Sequence, residues 1–197
     1  MAIKAGPGEL YTIRRKFFKL FGAGFNIFDE HGNPAAYSHQ KAFKLREDIT
    51  LYTDESKSDP MLKINTKSVI DFSGTYDVTT PEGLRLGSLR RKGMKSSFVR
   101  DEWLVYDGDQ NEYAMIRERG SFAPFARRFI DNASLLLPQT YDVIRKSDGV
   151  EVAKFRQHFN PFIFKMGIAV LADDQTLDEL VLLAAGTLIA AIEGKQA

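Results

Sequence analysis

The stretch LDELVLLAAGTLIAAI, Leu177 to Ile192, decides the fold of this chain. After its first turn it is almost wholly apolar, so a helix built from it has no solvent-facing stripe and must be surrounded by lipid or by protein. At 1.5 Å per residue its 16 or so positions span roughly 24 Å, whereas a bilayer crossing needs about 20 apolar residues. Thr176 with Glu179 three residues on reads as a capping box, Asp178 and Glu179 suit the positive end of a helix, and Gly194 marks the stop. The expectation is a helix over 177–193 buried in protein, with no transmembrane span.

The material to surround it lies upstream. Leu62, Ile64, Thr66, Ser68 and Ile70 alternate with Lys63, Asn65 and Lys67, and Phe162, Phe164, Met166, Ile168 and Val170 define a second strand of the same kind. Strands are expected near 10–18, 24–29, 35–41, 48–53, 61–70, 74–79, 84–91, 102–106, 112–118, 140–146, 150–157 and 162–171. A hairpin unit recurs at unequal intervals: Phe25-Asn-Ile27 before DEHGNP, Tyr76-Asp-Val78 before TTPEG, Trp103-Leu-Val105 before YDGDQN and Tyr141-Asp-Val143 before IRKSDG. About twelve strands are too many for a small barrel filled by its own side chains. A large closed sheet needs a plug and an all-apolar helix needs a sleeve, so the expected fold is mainly β: a closed antiparallel barrel of about twelve strands enclosing the C-terminal helix.

Composition sets the remaining bounds. The 197 residues, 44% of them hydrophobic, suffice for a core without covalent staples, and the absence of cysteine excludes disulfides, thiol nucleophiles and thiolate metal sites. A formal charge of +1 argues against a surface built for nucleic acid. The opening MAIKAGPGEL has no secretory apolar run, so a cytoplasmic location is expected, with residues 1–9 a flexible lead-in to one domain over 10–197. In SFAPFARRFIDNASLLLP, near 121–138, Phe122, Phe125 and Phe129 fall at helical spacing, and a short capping helix is expected as an insertion.

Catalytic signals are weak. His31, His39 and His158 are scattered, and neither GxSxG nor HExxH occurs. GSLRRKGMKS, Gly87 to Ser96, has the wrong glycine spacing for a phosphate loop, and Gly22-Ala-Gly24 reads as a turn. Asp107, Asp109 and Asn111 alternate like the start of a calcium loop but lack its glycine, so they read as a hairpin turn; Asp173 and Asp174 read as helix-dipole partners. No catalytic residue, cofactor or metal site is expected, and the chain reads as non-enzymatic.

The informative surface is cationic. Arg85, Arg90, Arg91, Lys92, Lys95 and Arg100 follow one another with no acid between, and Arg14, Arg15, Lys16 and Lys19 form a second such run interleaved with Phe17, Phe18 and Phe21. Clustered cations hold phosphate groups; the plainer alternative is a solvated hairpin whose charges deter edge pairing. Arg90, Arg91, Lys92 and Lys95 are the candidate phospholipid-headgroup residues.

Tyr11-Thr-Ile13-Arg-Arg-Lys16-Phe17, Phe25-Asn-Ile27-Phe-Asp29-Glu-His-Gly32-Asn, the aromatic hairpins and the terminal apolar helix together resemble the LURP-one-related group, over about residues 10–193. That group shares a superfamily with tubby C-terminal domains and phospholipid scramblases. The resemblance implies a twelve-stranded barrel threaded by a hydrophobic helix. It also implies phosphoinositide chemistry of the tubby kind, which Arg90, Arg91, Lys92 and Lys95 match in type but not in motif. The cysteines and proline-rich segment of scramblases are missing. Two functions are carried forward: a domain binding anionic phospholipid at a membrane surface, and a soluble scaffold for protein partners.

Overall fold

The structure, a computed structural model, describes residues 6–18, 22–40, 48–70, 73–92, 102–119, 139–160, 163–172 and 176–193. Twelve strands close into one barrel: β1 Tyr11–Phe18, β2 Gly22–Asp29, β3 Pro34–Gln40, β4 Ile49–Tyr52, β5 Pro60–Ile70, β6 Ser73–Thr79, β7 Arg85–Arg91, β8 Glu102–Tyr106, β9 Glu112–Glu118, β10 Thr140–Arg145, β11 Glu151–His158 and β12 Lys165–Val170. Each strand pairs antiparallel with its neighbour in sequence, and β1 pairs with β12, in the register Tyr11↔Ile168 to Arg14↔Lys165, to complete the ring. Closure leaves no strand edge open. The expected barrel and its enclosed helix are both present.

Alternation places one residue in two on the lumen. Ile13, Phe25, Ile27, Leu62, Ile64, Val78, Leu89, Ile116, Val143, Phe155, Met166 and Ile168 are all buried to 1% exposure or less. The lumen is filled by α1, Glu179–Glu193, whose side chains from Val181 to Ala191 are buried without interruption. Thr187, fully buried, donates its hydroxyl to the Leu183 carbonyl at 2.8 Å, so the one polar side chain in this run is satisfied within the helix. Small residues set the approach of helix to wall. At Gly186 a Cβ would lie 2.7 Å from Ile168 Cδ1, and at Gly87 one would lie 2.6 Å from the Tyr106 carbonyl oxygen and 3.1 Å from Val181 Cγ2. No helix among the described residues is long and apolar enough to cross a membrane.

The start of α1 lies two residues beyond the expected 177. The helix begins at Glu179, and Asp178 is its N-cap, its Oδ1 accepting the Leu180 N–H at 2.8 Å. Within the expected lead-in, Gly6 to Glu9 is held: the Glu9 N–H donates to the Gly6 carbonyl at 3.0 Å, and Glu9 is only 6% exposed. The expected helix near 121–138 lies outside the described residues, as do Asp173 and Asp174.

Because the strands alternate in direction, their connections divide between two rims. The turn rim carries the β2–β3, β4–β5, β6–β7, β8–β9 and β10–β11 hairpins and the start of α1. Its aspartates fold the turns. Asp29 accepts the His31 and Asn33 N–H groups and the Asn33 amide, and Asp107 accepts the Asn111 N–H at 2.8 Å and its amide at 3.1 Å. The Asp107 carboxylate is thus engaged by its own hairpin, as the turn reading expects.

Candidate functional site

A lumen packed with helix leaves the outer wall and the rims to meet a ligand. Asp29, Glu30, Asp54, Asp107, Asp148 and Glu179 stand at the turn rim, where strand ends and hairpins place them. Toward the opposite rim run the C-terminal ends of β1 and β7, the strands that hold Arg14 and Arg15 of one basic run and Arg85, Arg90 and Arg91 of the other. Order around the barrel sets β1 and β7 on opposite sides of that rim.

On β7 the candidate residues have three different environments. Arg90 points outward, is exposed, and makes no ion pair or hydrogen bond among the described residues. Arg91, one residue on, turns toward the lumen end, where its guanidinium lies 5.8 Å from the centre of the Trp103 ring. Trp103 is 3% exposed and sits 5.9 Å from Tyr76, which packs over Gly74, where any Cβ would meet the ring at 2.7 Å. Burial pushes the Tyr76 phenol up against the pull of the Arg91 charge. Lys92 is half-exposed, with its Nζ 3.1 Å from Glu102 Oε2; Arg117 Nε reaches Glu102 Oε1 at the same distance. Burial tends to raise the Glu102 carboxyl, but these two cations outweigh it and hold it below its usual range. Lys95 and Arg100 lie outside the described residues. The structure therefore gathers Arg90, Arg91 and Lys92 at one strand end, with Arg90 exposed and unpaired among the described residues.

The second run splits by strand alternation. Arg15 faces inward at 6% exposure, 5.8 Å from the centre of the Phe25 ring, and burial lowers its guanidinium to about 10. Arg14 faces outward, and the register sets it beside Lys165 of β12, which lies beside His158 of β11. Arg156 shares that outer face two residues earlier. Arg14 and Arg156 make no ion pair or hydrogen bond among the described residues. His158 bonds the Glu9 carboxylate, 2.7 Å from Oε1 and 3.0 Å from Oε2, and Phe159 beyond it is 60% exposed. Sequence reading did not find this second group. The signal was present in the outward pair Arg156 and His158, set against inward Phe155 and Gln157, but joining it to Arg14 required the pairing of first strand with last.

The three histidines stay apart. His31 is in the β2–β3 turn, His39 on β3 and His158 on β11, four strands away around the barrel. No grouping of His, Asp and Glu among the described residues has the form of a metal site.

No curated protein matches the chain. Among solved structures, it is similar to a protein from Arabidopsis thaliana known by X-ray diffraction, at 16% identity with 96% of each chain covered and a TM-score of 0.46. The family model described as LURP-one-related matches residues 35–178, which runs from β3 to the N-cap of α1 and takes in most of the barrel just described. By that match this chain belongs to the LURP-one-related family.

Proposed function

We propose that this chain is a non-enzymatic binding domain that docks its basic rim on anionic phospholipid headgroups at a membrane surface. The observation that carries the reading is arginine on the outer wall toward that rim with no acid partner among the described residues: exposed Arg90 on one side of the barrel, and partly exposed Arg14 with exposed Arg156 on the other. A guanidinium offers a planar fork of donors that fits phosphate oxygens. Each cation near an anionic leaflet is worth about 1 kcal/mol, and the attraction decays within a Debye length, so several cations on one rim favour a fixed orientation of the barrel. The cytoplasmic leaflet carries such lipids, which suits a cytoplasmic protein peripheral to the membrane.

Sedimentation with phosphatidylcholine vesicles containing phosphatidylserine or a phosphoinositide tests this. Binding is expected at low salt, weakening as salt rises, and falling when Arg90, Arg91, Lys92 and Lys95 are reversed to glutamate. Absence of binding at low salt, or binding indifferent to the reversal, overturns it. The scaffold reading draws on the opposite rim, where Leu84, Val150 and Leu171 are 67%, 42% and 51% exposed. Substituting those three with serine distinguishes the readings, since it leaves vesicle binding intact and removes a protein contact.

A further inference from the structure

Glu9 occupies a place made for an anion. The chain from Gly6 to Leu10 doubles back, with Gly8 at a φ of 76°, and lays the Glu9 side chain across the outer face of β12. Gly167 lies beneath it: a Cβ there would coincide with the Glu9 carboxylate, so glycine leaves the hollow that the carboxylate fills. The carboxylate accepts the Gly6 N–H at 2.7 Å and both contacts from His158 Nε2, and it feels the charge of Lys165. Around this one acid stand Arg14, Lys165 and His158, consecutive across three strands, and Arg156 on the same face. Like charges on neighbouring strands repel, at roughly 0.2–1 kcal/mol for a directly opposed pair. One carboxylate bonded to His158 leaves Arg14 and Arg156 without an acceptor. A group with more charge and more oxygens would reach Arg14 and Arg156 as well. Phe159, exposed at the end of β11, is the kind of apolar group that enters an interfacial layer beside cations.

We propose that the β1–β12–β11 wall is a binding site for a lipid phosphate and that Glu9 is its internal occupant, displaced when the headgroup binds. Glu9 then acts as a competitor in cis, lowering the affinity of the free protein until the turn at Gly6–Glu9 lifts away. This rests on the anionic-surface reading for the source of the phosphate, while the site itself stands on the opposite side of the barrel from Arg90.

The test uses the full chain and vesicles of phosphatidylcholine with phosphatidic acid. Glu9→Gln keeps the shape and removes the charge, while Glu30→Gln makes the same change in net charge at the turn rim. Glu9→Gln is expected to bind vesicles about fivefold more tightly than Glu30→Gln, corresponding to about 1 kcal/mol. Adding Arg14→Gln and Arg156→Gln should erase the gain, and Phe159→Ala should weaken vesicle binding. Equal affinity of Glu9→Gln and Glu30→Gln overturns the proposal, as does a gain that survives loss of both arginines. Should Glu9→Gln fail to fold by circular dichroism, the His158 ring resonances of the unsubstituted chain decide: they shift when phosphatidic acid replaces Glu9, and an unchanged ring at saturation overturns it. If inorganic phosphate alone reproduces the shift while vesicles do not bind, the lipid occupant is refuted. If reversal of Arg90, Arg91, Lys92 and Lys95 removes vesicle binding while the Glu9 series is flat, the Glu9 site falls and the surface reading stands.

Discussion

One methyl group added at Gly87 should cost this protein far more than the same methyl at Gly186, although both glycines lie where helix meets wall. At Gly87 the new Cβ would stand 2.6 Å from the Tyr106 carbonyl oxygen, part of the neighbouring strand's backbone, and 3.1 Å from Val181 Cγ2 of the helix. Neither side can yield cheaply: the carbonyl is fixed by the ladder between β7 and β8, and Val181 is 1% exposed. Overpacking of this kind costs about 1–3 kcal/mol. At Gly186 the neighbours are the methyl ends of Ile168 and Ile13, at 2.7 and 3.1 Å, which can turn aside. Alanine in a helix interior also gains up to about 1 kcal/mol over glycine, offsetting the crowding. Gly87→Ala should therefore lower Tm by roughly 2–12 °C, at about 2–4 °C per kcal/mol for a chain of this size, and Gly186→Ala should stay within about 1 kcal/mol of the parent. Urea unfolding followed by circular dichroism measures both. A Gly87→Ala protein as stable as its parent, or a Gly186→Ala protein less stable than Gly87→Ala, refutes the argument that the helix is seated against a rigid wall at β7.

Truncating the plug gives a second measure: Leu188→Ala and Ile189→Ala, at sites 1% and 2% exposed, should each cost about 2–5 kcal/mol in urea unfolding, and deletion from Thr176 onward should abolish the native near-ultraviolet spectrum. A third prediction concerns acid. Burial alone would raise the Glu9 carboxyl, but the His158 bond, the Gly6 N–H and the charges of His158 and Lys165 outweigh it and hold it below its ordinary 4.5. A folded-state value below the unfolded one contributes stability above about pH 4.5 that is lost as pH falls further. Glu9→Gln should flatten that part of the profile, and parallel profiles for the two proteins would contradict a charged Glu9 bonded to His158 in the folded chain. Fourth, since Arg91 lies over Trp103, Arg91→Gln should change tryptophan fluorescence while Arg90→Gln leaves it unaltered.

Much of the fold was legible because its signals are local. Trp103 and Val105, and Ala114 and Ile116, fall at alternate positions on either side of a turn rich in Asp, Gly and Asn, and β8 and β9 lie where that pattern puts them. The helix was legible from the same economy, since no soluble surface tolerates its composition. Its first helical residue, Glu179, was legible as an acid suited to the positive end of the helix, while the share of Asp178 in capping was not singled out. The wall around Glu9 was hidden for a different reason. Glu9 and His158 are 149 residues apart, and only ring closure makes them neighbours. Arg14 and Arg15 looked like one basic run, yet alternation sends one to solvent and the other into the barrel.

Ring closure also orders events during synthesis. The seam joins the first strand to the last, and the element that fills the lumen follows that last strand. While the ribosome is still making β11, the emerging sheet has two unsatisfied edges and a concave apolar face with nothing to cover it. Local hairpins can form early, but the long loop between β1 and β12 must be closed before the contacts that reward it exist. Such an intermediate invites edge-to-edge association with other nascent chains. Assembly of this barrel is thus a late step in the life of the polypeptide, and its yield in a cell should depend on how well that interval is guarded by chaperones.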